Sequence, residues 1–384
     1  MKMNIVMAGA CPYPFPQGSQ IYLRETARAL AGLGHDVRMV VYGHGRGECA
    51  PDDPPLRRAG NWPFARDIEA SGPSLTKPIH DAALWFTLRK TLNLEGADAV
   101  CAHNYEALLA ALATLRRPVV YFAHNALADE LPYYWQGRRR TRWAARLGRF
   151  FDETFPRRAD RIIVPHRRLA GYLALRGCPQ ERLMVIPPPV DASAFGEPSA
   201  EQSAMPPVLY TGNIDAYQNL GLLLGAVARI RESRPSVRLL MATGDPPPFP
   251  GVEHLPGAGF DELRAALSGD VIVAVPRVSW SGYPIKLLNA MAAGRAVVAC
   301  AGAAWPITDG VNGLVVPDND REAFARALLR LMDQPRLRAE LGQNARATIL
   351  HEHDPGAVGR QIEQVLLEAA DMAPDNAADV IQEG

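Results

Sequence analysis

The feature that most constrains the fold is a repeated alternation of short apolar strand patterns with amphipathic helix patterns. In the first half of the chain the strand patterns lie at residues 4–8, 37–42, 97–101, 119–122 and 161–164. In the second half they lie at residues 208–211, 237–241, 270–275 and 296–300. Two such runs predict two doubly wound, mostly parallel α/β domains with a ligand site in the cleft between them.

A proline-rich stretch separates the two runs. Residues 186–191 read Ile-Pro-Pro-Pro-Val-Asp, and residues 197–207 are polar and rich in proline. We therefore predict a first domain over 1–190, a linker over 191–206 and a second domain over 207–355. A last helix near 356–370 and a frayed acidic tail over 371–384 follow. Residues 43–78, rich in glycine, proline and charge, are predicted to be irregular.

Charge and cysteine content exclude several classes of function. The 41 basic and 41 acidic side chains give a net charge of zero, which disfavours a nucleic-acid partner. Neither a G-x-G-x-x-G motif after a strand nor a P-loop motif is present, which weighs against a dehydrogenase or a P-loop ATPase. The five cysteines are scattered without a C-x-x-C pair, so we expect neither a disulfide framework nor a zinc site. The N-terminus reads as a strand and no apolar run approaches about 20 residues, which favours a cytoplasmic protein.

The segment that most clearly indicates a ligand site is residues 270–300, where the sequence predicts a strand, a glycine loop, a helix and a second strand in succession. Gly282 lies just ahead of the helix, whose free backbone N–H groups suit an anion such as phosphate. Arg277 is placed at the carboxyl end of the strand, and Lys286 in the first helical turn, where a cation opposes the helix dipole. Lysine occurs elsewhere only at positions 2, 77 and 90. The pair predicts a diphosphate site, while a solvated surface cation remains the alternative for Lys286.

This segment resembles the signature region of retaining glycosyltransferases of family 4, which have the GT-B fold. The resemblance extends over nearly the whole chain. The further motifs, in matching order, are Gly18-Ser19, residues 186–191 followed by Phe195, Tyr-Thr-Gly-Asn at 210–213, and residues 309–317. It implies an N-terminal acceptor domain, a C-terminal nucleotide-sugar domain and a last helix, near 356–370, that crosses back to the first domain.

The chain departs from the family pattern at its charged positions. Ser281 and Asn289 stand where the family usually has the two glutamates of an E-x7-E motif. Asn213 and Gln218 match positions that often carry an arginine and a lysine. Because Arg277 and Lys286 place two cations in the neighbouring loop, we interpret the change as a relocated phosphate clamp. Asn289 can still hydrogen-bond a ribose hydroxyl.

The resemblance also implies the site residues. Those of the donor site are Gly18, Ser19, Gly212, Asn213, Gln218, Ser281, Gly282, Tyr283, Pro284, Ile285 and Asn289. His124, which follows a strand, matches a histidine that lies against the donor sugar, and we predict that it acts with Arg277 and Lys286. Fixed cations can stabilise the departing diphosphate without a metal. His103, Asn104, Asp129 and Glu130 are candidates for the acceptor site, with structural or solvated roles left open.

Residues 138–150 combine six arginines, beginning at Arg138, with Trp143, Leu147 and Phe150. Such a segment suits an anionic membrane surface, as expected for a peripheral enzyme with a lipid-linked acceptor. An ordinary solvated helix whose arginines pair with acids is the alternative.

The leading hypothesis is a metal-independent retaining glycosyltransferase that uses a UDP- or GDP-linked sugar. Its acceptor would be a glycan or a lipid-linked molecule, in the synthesis of a surface polysaccharide or glycolipid. Two alternatives stay open: a catalytically silent subunit that binds sugar nucleotides, and a nucleotide-sugar 2-epimerase. The epimerase needs acid/base carboxylates in the cleft, and the sequence shows no convincing set.

Overall fold

The computed structural model describes residues 1–15, 18–45, 48–61, 72–115, 118–197, 203–243, 249–256 and 260–371. Within them the first half of the chain forms a sheet of seven parallel strands in the order β3-β2-β1-β4-β5-β6-β7. The strands are β1 (Asn4–Gly9), β2 (Asp36–Val41), β3 (Leu56–Arg58), β4 (Ala99–His103), β5 (Val119–Phe122), β6 (Arg161–Val164) and β7 (Leu183–Val185). The continuous apolar character of the central strands β1, β4 and β5 is typical of strands buried on both faces of a parallel sheet.

Helices connect these strands and cover the sheet. They are α1 (Gly18–Gly32), α2 (Lys77–Glu95), α3 (Tyr105–Ala113), α4 (Leu127–Glu130), α5 (Arg138–Thr154) and α6 (Arg167–Ala174). The helix α1 ends as the sequence predicts, because Gly34 adopts a left-handed conformation with φ of 93° just beyond it.

The second half of the chain forms a sheet of six parallel strands in the order β10-β9-β8-β11-β12-β13, again within the described residues. The strands are β8 (Val208–Thr211), β9 (Leu239–Thr243), β10 (Glu253–Pro256), β11 (Ile272–Val275), β12 (Ala296–Cys300) and β13 (Leu314–Val316). The helices are α7 (Leu220–Arg231), α8 (Phe260–Ser268), α9 (Ile285–Ala292), α10 (Arg321–Asp333) and α11 (Pro335–Glu352).

The last helix, α12 (Pro355–Asp371), returns to the first sheet and packs against α1. Gly359 makes this contact close, since a Cβ atom there would lie 3.2 Å from the Ala29 carbonyl oxygen. One buried cluster runs without a break from the first sheet through α1, α9 and α12 into the second sheet. The cleft between the sheets therefore rests on a shared apolar core.

Four strands are absent from the sequence prediction: β3, β7, β10 and β13. Each has three or four residues and all four are the outermost strands of their sheets, so they carry too little apolar pattern to be recognised. The interpretation of residues 43–78 as irregular is wrong at two places, because β3 and the start of α2 fall within them. Residues 198–202 of the predicted linker and residues 372–384 of the predicted tail lie outside the described residues.

Candidate functional site

The predicted site residues follow strands that lie where each sheet reverses its order. In the first sheet β1 lies beside β4, and in the second sheet β8 lies beside β11. The connections that leave such neighbouring strands diverge to opposite faces and open a crevice at the carboxyl ends. His103 ends β4, Gly212 follows β8, and Arg277 comes two residues after β11. The two sheets thus bring these three positions to the same cleft.

Arg277 is held under the glycine loop. Its Nε and one terminal nitrogen donate to the carbonyl oxygen and the hydroxyl of Ser279, both at 3.2 Å. The guanidinium lies 4.9 Å from the centre of the Tyr217 ring, within the range of a cation–π contact. A Cβ atom on Gly282 would lie 2.3 Å from the guanidinium, so this position needs glycine for the arginine to lie where it does.

Lys286 reaches back from the first turn of α9 to the end of β8. Its ammonium donates to the Tyr210 hydroxyl at 2.9 Å and to the Gln218 side-chain oxygen at 2.6 Å. The Gln218 amide in turn donates to the side-chain oxygen of Asn213 at 2.6 Å. Gly212, with φ of 101°, has no Cβ to crowd the ammonium. Burial and the nearby Arg277 hold the pKa of Lys286 well below its usual range.

This network supports the relocation inferred from the sequence. Asn213 and Gln218 lie in the segment between β8 and α7 with neutral side chains, and Lys286 brings its amino group to Gln218 from α9. In the described residues no carboxylate lies within ion-pair distance of Lys286 or Arg277. Their charges are therefore available to an anionic ligand.

The other predicted donor residues surround the N-terminus of α9. Pro284 precedes the helix, and Ile285 packs across the cleft against Gly18, where a Cβ atom would meet it at 3.4 Å. Ser281 is fully buried and Asn289 is 4% exposed. No described residue hydrogen-bonds the side-chain amide of Asn289, which leaves it free for a ligand. Ser19 is exposed at the start of α1, and Tyr283 is half-buried beside α9.

His103 and His124 form a pair on the opposite wall. Nδ1 of His103 lies 3.0 Å from Nε2 of His124, and the Tyr22 ring packs against both imidazoles. Burial lowers the pKa of His124 to about 3 and, together with His124, that of His103 well below its usual range. Both rings are therefore neutral at pH 7. Nε2 of His103 is buried without a hydrogen-bond partner among the described residues.

Asp129 and Glu130, on α4, face the second domain. Asp129 accepts hydrogen bonds from the loop 279–281, and Glu130 accepts one from the Tyr134 hydroxyl at 3.1 Å. Burial raises the pKa of Glu130, and the positive charge of Arg277 opposes that shift. The two carboxylates therefore lie on the cleft, across from the cations of the second domain.

Asn104 has a structural role at the end of β4. Its side-chain oxygen accepts the N–H of Ala107 and so caps α3, and its amide donates to the Ala10 carbonyl at 3.3 Å. Its backbone φ of 72° is one that asparagine tolerates better than most residues. A direct acceptor contact for Asn104 stays a prediction, as do the roles of the other site residues.

His166, which lies two residues after β6, is a cleft residue that was not among the predicted site residues. Its Nδ1 accepts the N–H of Leu169, so its Nε2 donates to the Ser281 carbonyl at 3.1 Å across the cleft. The imidazole stacks on the Trp305 ring at 5.1 Å, and burial lowers its pKa to about 4. The signal was available, because His166 follows a predicted strand just as His124 does.

The helix α5 exposes the arginine-rich surface that the sequence predicts. Trp143 and Phe150 are 57% and 56% exposed. No acidic side chain among the described residues pairs with any of the arginines at 138, 139, 140, 142, 146 and 149. Among the described residues, therefore, acids do not neutralise this helix, and the membrane surface and the ordinary solvated helix both stay predictions. Across the described ranges, no helix has the length and apolar character to cross a bilayer.

Models of two known families match the chain. The model described as Glycosyltransferase Family 4 matches residues 16–194, and the model described as Glycosyl transferases group 1 matches residues 206–334. Among curated proteins, a D-inositol 3-phosphate glycosyltransferase of Salinispora arenicola is 26% identical over 86% of this chain and 82% of its own length. A phosphatidyl-myo-inositol mannosyltransferase of Mycolicibacterium smegmatis is 26% identical over 92% of both chains.

Solved structures share the fold at lower identity. Sucrose-phosphate synthase from Thermosynechococcus elongatus has a TM-score of 0.81 at 18% identity, covering 97% of this chain and all of its own. Anabaena HepE, solved in complex with UDP and glucose, has a TM-score of 0.72 at 17% identity, covering 95% of this chain and 99% of its own. The predicted fold class, GT-B with two facing Rossmann-like domains, is confirmed.

Proposed function

The chain belongs to glycosyltransferase family 4, and from this membership we propose that it transfers a sugar from a nucleoside diphosphate to an acceptor hydroxyl with retention of configuration. The proposed donor is linked to UDP or GDP, and the proposed acceptor is a glycan or a lipid-linked molecule of surface glycan synthesis. The observation that carries this proposal is the convergence of Arg277 and Lys286 at the N-terminus of α9, without a carboxylate partner among the described residues.

The arrangement supports departure of a diphosphate. As the sugar–oxygen bond breaks, negative charge grows on the leaving phosphate and positive charge on the sugar ring. Arg277, Lys286 and the N–H groups at the N-terminus of α9 can stabilise the first, at about 3–4 kcal/mol of barrier for each such group. The departing phosphate can take the proton of the acceptor hydroxyl on the same face, which gives retention. We propose that no metal takes part.

The two walls of the cleft divide the substrates. The cations of the second domain favour the diphosphate, while neutral His124 and the carboxylates of Asp129 and Glu130 face them from the first domain. A neutral imidazole can lie against a developing cationic ring without repelling it. HepE, which has this fold, was solved with UDP-glucose, and this supports a UDP-linked donor here.

The acceptor proposal also draws on the relatives and on α5. One relative is named for phosphatidyl-myo-inositol and another for D-inositol 3-phosphate. The unpaired arginines and exposed aromatic rings of α5 fit an anionic membrane surface, where a lipid-linked acceptor would be found. We propose peripheral attachment through this helix, which packs directly on α4 beside the cleft.

A donor panel tests the proposed function. The protein is incubated with UDP- and GDP-linked sugars and a lipid-linked glycan fraction in the presence of EDTA, and the anomeric configuration of the product is read by NMR. We expect transfer with retention by the wild type, and a loss of about 100- to 1,000-fold in kcat/KM for Lys286→Ala with an unchanged circular dichroism spectrum. Asp333→Ala, on the surface of α10, is the matched control. Nucleotide binding without transfer from any donor would contradict the proposal.

A further inference from the structure

Asp129 belongs to the first domain, but its hydrogen bonds go to the second. One carboxylate oxygen, Oδ2, accepts from the Ser279 hydroxyl at 2.9 Å, the Trp280 N–H at 3.1 Å, the Ser281 N–H at 3.0 Å and the Ser281 hydroxyl at 2.8 Å. Hydrogen bonds to an ionised acceptor are stronger than those between neutral groups. The side chain therefore grips the loop 279–281 from across the cleft.

Ser279 connects this carboxylate to Arg277. Its hydroxyl hydrogen is directed to Asp129, so its lone pairs are left to accept from the Arg277 guanidinium at 3.2 Å. The carbonyl oxygen of Ser279 accepts from Arg277 Nε at the same distance. Among the described residues, Arg277 therefore donates both of its side-chain hydrogen bonds to Ser279, whose hydroxyl Asp129 orients.

The carboxylate itself is fixed from behind. The first two N–H groups of α4, those of Leu127 and Ala128, donate to the carboxylate of Asp152, both at 3.0 Å. Asp152 lies in the last turn of α5, and its side chain is fully buried. Tyr172 adds a hydrogen bond at 2.8 Å to the same carboxylate. A Cβ atom on Gly148 would lie 2.4 Å from the Leu127 carbonyl, so α5 and α4 are packed backbone to backbone. Asp129 accordingly projects from a rigid support.

We infer that Asp129 is a positioning residue for Arg277: acting through Ser279, it sets the guanidinium for the diphosphate from the opposite domain. Because the two residues lie on different domains, opening of the cleft breaks the connection between Asp129 and the loop that holds the arginine. The cation site is then complete only when the domains are closed. This inference rests on the proposed function and assigns Asp129 to the donor rather than to the acceptor.

The direction in which nucleotide affinity changes when Asp129 is removed distinguishes a positioning role from simple electrostatic repulsion. A carboxylate near a diphosphate site repels the ligand, so its removal alone should tighten binding. If Asp129 instead positions Arg277, its removal should weaken binding, and only where Arg277 is present. The probes are UDP and GDP, titrated calorimetrically into the wild type, Asp129→Ala, Arg277→Ala and the double variant.

We expect Asp129→Ala to weaken the better-bound nucleotide about tenfold, and the double variant to bind no more weakly than Arg277→Ala. Ser279→Ala should behave as Asp129→Ala does, and Asp129→Asn, which keeps an acceptor oxygen, should recover part of the loss. Additive losses, or tighter binding by Asp129→Ala, overturn the inference. Asp333→Ala controls for the loss of a carboxylate from the second domain's surface.

Hydrogen exchange of the protein without nucleotide tests separately whether Asp129 holds the loop 279–281. In Asp129→Ala the amides of Trp280 and Ser281 lose their acceptor, and we expect them to exchange about ten times faster, with no change in the strands β8 and β11. Unchanged exchange at both amides overturns the inference whatever the titrations give. If the wild type binds neither UDP nor GDP, the proposed function fails, and so does the role assigned to Arg277, while exchange still shows whether Asp129 holds the loop.

Discussion

The ammonium of Lys286 donates a 2.6 Å hydrogen bond to the side-chain oxygen of Gln218. This contact joins the first turn of α9 to the turn at residues 216–218 that follows β8, and the two residues are 68 positions apart in the chain. It also places a lysine beside Gln218, a neutral residue at a position where the family often has a basic one. The cost is a partly buried lysine without a carboxylate partner among the described residues, and its pKa is well below the usual range because burial and Arg277 disfavour the charged form.

The lowered pKa of Lys286 predicts that nucleotide binding is coupled to proton uptake. A diphosphate favours the charged ammonium, so affinity should fall as pH rises through the pKa of the free protein. Well above their second pKa of about 6 the phosphates are fully ionised, so they do not titrate between about pH 7.5 and 8.5, where the uracil and guanine N–H groups also keep their protons. Calorimetry of UDP and GDP in buffers of different ionisation enthalpy measures the uptake. Lys286→Arg should bind without this pH dependence, since arginine stays protonated. Equal pH profiles for the two proteins would contradict the assignment.

Gly282→Ala should displace Arg277 without unfolding the loop. The new methyl group would lie 2.3 Å from the guanidinium, and the arginine is the more mobile of the two. We expect a loss of nucleotide affinity close to that of Arg277→Ala and a change of under about 0.5 kcal/mol in the free energy of unfolding. Gly171→Ala, in α6 with open space around it, is the control and should keep full affinity. Wild-type affinity in Gly282→Ala would show that the arginine has room to stay.

Asp152→Ala should destabilise the first domain. The change leaves the N–H groups of Leu127 and Ala128 and two tyrosine hydroxyls without their buried acceptor. Unsatisfied buried donors cost about 1–3 kcal/mol each, so we expect a loss of at least about 3 kcal/mol, measured by urea unfolding. Asp152→Asn, which keeps one acceptor oxygen, should lose less. An effect as small as that of surface Asp333→Ala would mean that α4 does not depend on this carboxylate.

The surface of α5 should bind anionic vesicles. Each arginine near such a surface contributes about 1 kcal/mol, so Arg146→Glu/Arg149→Glu should weaken binding to phosphatidylglycerol vesicles by at least about 30-fold. The matched control is Arg326→Glu/Arg336→Glu, which makes the same charge change on α10 and α11 of the second domain. Sedimentation with phosphatidylglycerol and with phosphatidylcholine vesicles measures both. Equal loss in the two double variants would refute a role specific to α5.

Secondary-structure elements that have a clear apolar pattern were predicted from the sequence, whereas the short strands at the sheet edges were not. The last helix α12 and buried strands such as β5 and β12 were predicted within one or two residues, because their apolar periodicity is a local property. The strand β3 has three residues at a sheet edge, and its place depends on pairing with β2. The local sequence pattern of β3 therefore does not indicate that it pairs with β2.

The sequence alone determined the fold class, the two domains and the loop that holds Arg277, Gly282 and Lys286, since each follows from residue types at short spacing along the chain. Only the tertiary structure decided that Lys286 meets Gln218, that His166 meets the Ser281 carbonyl, and that Asp129 reaches Arg277 through Ser279. These contacts join residues up to 150 positions apart. They exist because two separately formed sheets close on one another, and the spacing of residues within either half does not encode that closure.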